Sequence, residues 1–129
     1  MVNYALDGGK RLRSVICMYL LNYFDIENNN LIIAIELLHC SSLILDDLPC
    51  MDNDDYRRDK LTFHKKYETK YAYKVSNFLF NEFNRIILKL NNKLIINYVF
   101  ENLMLIVKGQ YYDLGFENEN LSIKDSIYN

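Results

Sequence analysis

Between Asp46 and Lys60 the chain gathers six aspartates, Asp46, Asp47, Asp52, Asp54, Asp55 and Asp59, against only Arg57, Arg58 and Lys60. Two carboxylates about 4 Å apart repel by roughly 4 kcal/mol at an effective dielectric near 20. Such a cluster at the end of an apolar helix calls for a cation. The donors are hard oxygens with little His or Cys nearby, which favours Mg²⁺ over Zn²⁺. The adjacent Arg57 and Arg58 add planar, permanently charged forks of the kind that grip a phosphate. Carboxylates, a divalent metal and paired arginines together read as a site for a Mg²⁺-bound diphosphate. A calcium loop starting at Asp52 fails: its sixth position would be Arg57 where Gly is needed, and its twelfth Phe63 where Glu is needed.

Helices must position these groups. Four Gly and one Pro leave few sheet-type turns, and the apolar runs are longer than strands. Asp7-Gly8-Gly9 reads as a turn, followed by a helix from Lys10 to about Phe24 with Leu12, Val15, Ile16, Tyr19, Leu20 and Phe24 at helical spacing. Lys10 and Arg13, three apart, would be neighbours at its start, as a solvated basic turn or as an anion contact. Asp25 to Asn30 is a polar loop. A second helix is expected from about Leu31 to Leu48, stopped or kinked by Pro49. Glu36, His39, Leu43 and Asp46 share one face of it. A lone His on an apolar helix is more often a core residue, but His39 lies two turns from Asp46 along the same line. Asp46 and Asp52 are six apart and do not align on a straight helix. A bulge of Leu48-Pro49-Cys50-Met51 would return both to one cluster. Asp47, Asp54 and Asp55 read as solvated acids or acids acting through other groups. Further helices are expected over about Glu68–Leu90 and Lys93–Asp113, with a turn at Asn91-Asn92 and a loop from Gly115 to Asn120. Ser122 and Asp125 form a capping box that opens another helix.

The 129 residues make one domain or part of a larger one. A net charge of −2 gives no electrostatic footprint for nucleic acid. No uninterrupted apolar run reaches the ~18 residues of a membrane span, and the start has no signal-peptide core. Cys17, Cys40 and Cys50 lack metal-type pairing and read as thiols in a reducing compartment.

The sequence DDLPCMDNDDYRR also resembles the first aspartate-rich motif of the trans-polyprenyl diphosphate synthases, in the bacterial and plastid form, most closely the geranylgeranyl diphosphate synthases. GGKRLR (Gly8 to Arg13), LLHCSSLILDD (Leu37 to Asp47) and KGQYYDL (Lys108 to Leu114) follow in that family's order and spacing. The resemblance covers nearly the whole chain and only the N-terminal half of the family's fold. It implies an all-α, antiparallel helical bundle of the isoprenoid synthase type, with residues 1–129 as a partial polyprenyl synthase domain. It also implies a Mg²⁺-dependent prenyltransferase that condenses isopentenyl diphosphate with an allylic diphosphate, whether dimethylallyl, geranyl or farnesyl. Carried over residue by residue, Asp46 and Asp52 hold Mg²⁺ and Arg57 binds the allylic diphosphate, these three forming the catalytic set. Lys10, Arg13, His39 and Arg58 bind isopentenyl diphosphate. A homodimer in the cytoplasm or plastid stroma is the family-like setting.

Departures are visible. Ser14 stands where the family usually has Pro. DKLTFH (Asp59 to His64) replaces GKPTNH, keeping Lys60, Thr62 and His64, of which His64 reads as structural. Ser76-Asn77 replaces Gly-Asp, keeping a small residue and losing a carboxylate. Gln110 and Asp113 are expected near the site without touching metal. Ser41, five residues before Asp46, occupies the family's cavity-floor position, and its small size implies an open cavity and a product of geranylgeranyl length. The second aspartate-rich motif is missing, so the chain is expected to be inactive alone. The rival reading is a non-catalytic relic or partner subunit of an active synthase: the drift at Asp59, Leu61, Phe63 and Asn77 favours it, and the retained binding set opposes it.

Overall fold

The computed structural model describes residues 1–119. In chain order it contains α1 (Val2–Leu6), α2 (Leu12–Tyr23), α3 (Asn29–Asp46), a hairpin of β1 (Tyr56–Arg57) and β2 (Lys60–Leu61), α4 (Phe63–Tyr67), α5 (Thr69–Lys89) and α6 (Lys93–Glu119). The chain divides into two compact units, Met1–Leu90 and Asn91–Asn129. The all-α expectation holds, with one two-residue ladder, Tyr56 opposite Leu61 and Arg57 opposite Lys60, as the exception among the described residues.

The first unit is built on α3 and α5. The buried residues of α5, Ala72, Val75, Ser76, Leu79, Phe83 and Ile87, recur every three or four positions, so one stripe turns inward. It packs against Cys40 and Ile44 of α3, together with Leu48 and Phe63. At the closest approach, Ser41 Oγ donates to Ser76 O at 3.1 Å and Ser76 Oγ donates to Ser41 O at 3.0 Å. Only small side chains permit this exchange, which accounts for the small residue at position 76. α3 is long and apolar enough to cross a membrane by length and composition. In this fold it lies packed against α1, α2 and α5.

α1 is too short to hold itself together. It is held by Tyr4, whose ring meets Phe63 and Tyr67 edge-on at 6.3 and 5.5 Å and whose hydroxyl donates to Leu61 O at 2.6 Å. α2 differs from its sequence pattern: of its residues only Ser14 is buried, while Leu12, Tyr19, Leu20 and the following Phe24 are all more than half exposed. α6, described by itself, continues through Gly115 to Glu119, where the sequence suggested a loop. The expected capping box at Ser122 and Asp125 lies outside the described residues.

Two helix boundaries move for backbone reasons. Gly8, Gly9 and Arg11 all have positive φ, so α2 starts at Leu12 and Lys10 lies in the preceding loop rather than on the helix. α3 ends at Asp46, three residues before Pro49, since residues preceding proline avoid the helical region. Leu48 thereby leaves the helix and enters the core at 1% exposure.

Glu68, between α4 and α5, adopts φ 74° and ψ 151°, a region close to glycine's alone. Replacing it by Gly should release strain of about 1–2 kcal/mol, after allowance for glycine's greater unfolded-state entropy. The expected result for Glu68→Gly is a higher melting temperature in a circular dichroism melt.

Candidate functional site

The site is assembled where α3 ends. Asp52 N–H donates to Asp46 O at 2.9 Å, so the chain folds back after the helix and returns Asp52 to the helix terminus. The expected return of the two aspartates holds, although the insert is only partly bulged: Pro49 and Cys50 are exposed while Leu48 is buried. Burial, and then the charge of Asp52, hold the Asp46 carboxyl above the ordinary carboxylate range against the pull of Arg57. Among the described residues neither carboxylate has an ion pair or side-chain hydrogen bond, so their oxygens are open to a cation.

Three converging His, Cys, Asp or Glu ligands are not found among the described residues. Two carboxylates still suit Mg²⁺, which keeps several waters and is commonly bound through one or two carboxylates plus substrate phosphates. Asp46 and Asp52 would hold it.

Of the two sequence readings for Asp47, a solvated acid or one acting through another group, the structure fits the second. At 4% exposure Asp47 accepts from Arg57 Nε at 2.6 Å, with Arg57 Nη2 at 2.5 Å. Asp54 adds a longer contact to the same guanidinium at 3.5 Å. Asp54 and Asp55 are exposed, and Asp55 pairs with Lys65 at 2.7 Å. Arg57 is thus fixed beside the Asp46–Asp52 pair.

The hairpin separates the two arginines. Its loop is Arg58-Asp59, with φ of 54° and 61°. Two consecutive left-handed residues are the signature of a tight two-residue hairpin turn. Arg57, in the strand, points to Asp47. Arg58, in the turn, lies over Gly9, where an added Cβ would come within 2.9 Å of the Arg58 Cζ. The hairpin is tied to α1 by the Tyr4–Leu61 hydrogen bond and a Lys60–Asp7 ion pair. Thr62 Oγ1 donates to Asp54 O at 2.7 Å and therefore accepts from His64 Nδ1 at 3.2 Å. His64 is buried, as a structural role requires.

Beside Arg58 is a cavity of about 460 Å³ lined by Gly9, Lys10, Arg11, Leu12, Arg13, Glu36, His39, Cys40 and Arg58. It unites Lys10, Arg13, His39 and Arg58. Lys10 arrives from the glycine loop, not from the helical spacing that suggested it. Arg13 Nη1 lies 3.2 Å from His39 Nε2. Burial first, then the Arg13 charge, push the His39 imidazole below its ordinary range; Arg58 and Arg57 add to this and Glu36 opposes it. A neutral ring accepting from Arg13 at Nε2 carries its proton on Nδ1.

Sequence reasoning missed Arg11, Ser14 and Glu36 as a unit. Arg11 Nη1 donates to Glu36 Oε2 at 2.7 Å, and its Nη2 donates to Leu6 O. Ser14 Oγ donates to Glu36 Oε1 at 2.6 Å. The shared face of Glu36, His39 and Asp46 was the available signal. Ser41 is buried and faces Ser76 in the α3–α5 contact.

The polyprenyl synthetase family model matches residues 1–129. Farnesyl diphosphate synthase from Micrococcus luteus is 34% identical over 135 residues, covering 96% of this chain and 46% of that protein. Geranylgeranyl pyrophosphate synthase 4 from Arabidopsis thaliana is 48% identical over 70 residues, covering 51% of this chain and 19% of that protein. The solved geranyltransferase from Helicobacter pylori complexed with magnesium and isoprenyl diphosphate is similar at a TM-score of 0.72 and 30% identity, over 96% of this chain and 46% of that one. The chain spans about half the length of the curated relatives it matches.

Because Asp46 is partly buried beside Asp52, its ionisation works against folding. A carboxyl raised in the folded state contributes stability below its unfolded pKa, and that contribution is lost as pH rises through the folded value. Asp46→Asn should therefore raise the melting temperature at pH 7, with the gain disappearing below about pH 4, near the ordinary aspartate pKa. Melts at the two pH values check this.

Proposed function

The chain belongs to the polyprenyl synthetase family, and from that premise we propose that it forms the diphosphate-binding wall of a Mg²⁺-dependent trans-prenyltransferase. In the reaction, an allylic diphosphate (dimethylallyl, geranyl or farnesyl) loses its diphosphate, the carbocation is attacked by the double bond of isopentenyl diphosphate, and a proton leaves. Lys10, Arg13, His39 and Arg58 hold the diphosphate of isopentenyl diphosphate. Asp46, Asp52 and Arg57 serve the allylic diphosphate. The observation that carries the reading is the shared cavity of Lys10, Arg13, His39 and Arg58, contributed by three separate parts of the chain.

Mg²⁺ held by Asp46 and Asp52 would neutralise charge developing on the leaving diphosphate. Arg57 contributes from a fixed position, since Asp47 removes its rotamer freedom, and preorganised charge stabilises a transition state without reorganisation. His39, neutral on the free protein, gives its Nδ1–H as a donor and can take a second proton once an anion offsets Arg13. A cytoplasmic setting belongs to this proposal, supported by the bacterial relatives, and a second copy of the chain is the family-like partner. The exposed apolar side chains of α2 support one alternative, a non-catalytic subunit that pairs with an active synthase.

Calorimetry on the chain tests the reading. Isopentenyl diphosphate should bind without metal, and Arg13→Ala should weaken it by about tenfold or more, as loss of a charge-assisted contact does. An allylic bisphosphonate should bind only with Mg²⁺, and Asp46→Ala with Asp52→Ala should remove that dependence. Loss of both titrations in the wild-type chain would support the non-catalytic subunit; an unchanged Mg²⁺ requirement in the double variant would overturn the metal assignment.

A further inference from the structure

Glu36 is out of place by charge. It is the one carboxylate among the residues lining a cavity that otherwise presents Lys10, Arg11, Arg13, His39 and Arg58. A carboxylate there repels any anionic ligand, yet both of its oxygens are occupied, Oε2 by Arg11 at 2.7 Å and Oε1 by Ser14 at 2.6 Å. Arg11 is equally committed, with its second amino group on Leu6 O. The Arg11–Glu36 pair is therefore internally neutral. Lys10, Arg13 and Arg58 remain as cations without a carboxylate partner among the described residues.

The arrangement has an obvious competitor. Glu36 and His39 are three residues apart on α3, and such positions are neighbours on a helix surface. His39 in turn lies against Arg13. A Glu36 side chain free to rotate would find Arg13 and His39 and take from an anionic ligand its two best donors. Ser14 opposes this: buried on α2 at 9% exposure, its hydroxyl reaches across to Glu36 and to Ile32 O at 3.5 Å. The proline usual in the family at this position has no hydroxyl to offer.

We infer that Ser14 is a positioning residue of the cavity, acting through Glu36: it holds that carboxylate on Arg11 and so keeps Arg13 and His39 free for a diphosphate. This rests on the proposed diphosphate reading for its ligand, but the holding device itself is testable without one. Burial favours protonation of Glu36, but the Ser14 and Arg11 hydrogen bonds and the Arg11 charge bring its carboxyl below the ordinary range, so the clamp operates ionised at neutral pH.

The test uses Ser14→Ala, Glu36→Gln and the double variant, with inorganic pyrophosphate as the probe. Ser14→Ala should weaken pyrophosphate binding by about tenfold, the change that 1.4 kcal/mol produces. Glu36→Gln should bind at least as tightly as the wild type, and Ser14→Ala with Glu36→Gln should match Glu36→Gln, because no carboxylate is left to compete. This rescue separates the device from simple damage, since two structural lesions would add. Without ligand, the His39 ring is titrated by NMR. The groups facing it are Glu36 on its own helix, Arg13 from α2, and Arg57 and Arg58 from the hairpin. In Ser14→Ala the released carboxylate should shift the His39 titration upward; in Glu36→Gln it should move downward. If the wild type binds no pyrophosphate, the diphosphate reading fails while the ligand-free titration still judges the clamp. If Glu36→Gln does not fold, Ser14→Ala decides alone. An unchanged His39 titration in Ser14→Ala, or a double variant as weak as Ser14→Ala, overturns the inference.

Discussion

Asp47 is almost completely buried and still has to be charged or satisfied. Removing one partner of a buried ion pair costs about 3–5 kcal/mol, because the remaining charge is left uncompensated. The guanidinium of Arg57 answers Asp47 through two nitrogens. That pairing fixes the hairpin against the end of α3. With the hairpin placed, Arg58 falls over Gly9, Lys60 meets Asp7, and Leu61 receives the Tyr4 hydroxyl. The glycine loop is thereby held at the mouth of the cavity that Arg13 and His39 line from α2 and α3.

Neighbouring arginines in one sequence usually share a fate; these do not. A two-residue turn with both residues left-handed reverses the chain between them and their next neighbours, and adjacent side chains of a strand already alternate. Arg57 faces the carboxylates and Arg58 faces the cationic cavity. The two guanidiniums are thereby committed to different surroundings. Part of the aspartate cluster is compensated locally: Asp47 and Asp54 share Arg57, and Asp55 pairs with Lys65. Among the described residues Asp46, Asp52 and Asp59 have no ion pair, and of these Asp59 lies in the hairpin turn while Asp46 and Asp52 meet at the end of α3.

The long helices were legible because their apolar residues recur at helical spacing over many turns, as at Ala72, Val75, Leu79 and Phe83. The hairpin, α1 and α4 were not. A two-residue strand has no period to read, and a five-residue helix draws its stability from contacts such as Tyr4 with Phe63 and Tyr67. In the site, the return of Asp52 to Asp46 could be argued from the failure of six-residue spacing on a straight helix. Lys10 reached the expected companions by a different route, since positive φ at Arg11 is invisible in a pattern of residue types. Asp47 could be read as solvated or as acting through another group, because its partner lies ten residues on, across a turn. The Ser14–Glu36 bond joins positions 22 apart, and Ser14 was seen only as a missing proline.

The Tyr4–Leu61 hydrogen bond joins residues 57 apart in the chain, and the Lys60–Asp7 pair spans 53. Closing loops of that length costs entropy before any contact rewards it, whereas helices form from local contacts. The order of assembly follows: α3 and α5 can pair first, and the N-terminal segment docks on the hairpin last. Since Gly9 and Arg58 meet only after that docking, the anion cavity is the latest part of the first unit to exist. A partly folded chain would carry its helices intact and lack this cavity, so the cavity reports on completion of folding in a way that helical content does not.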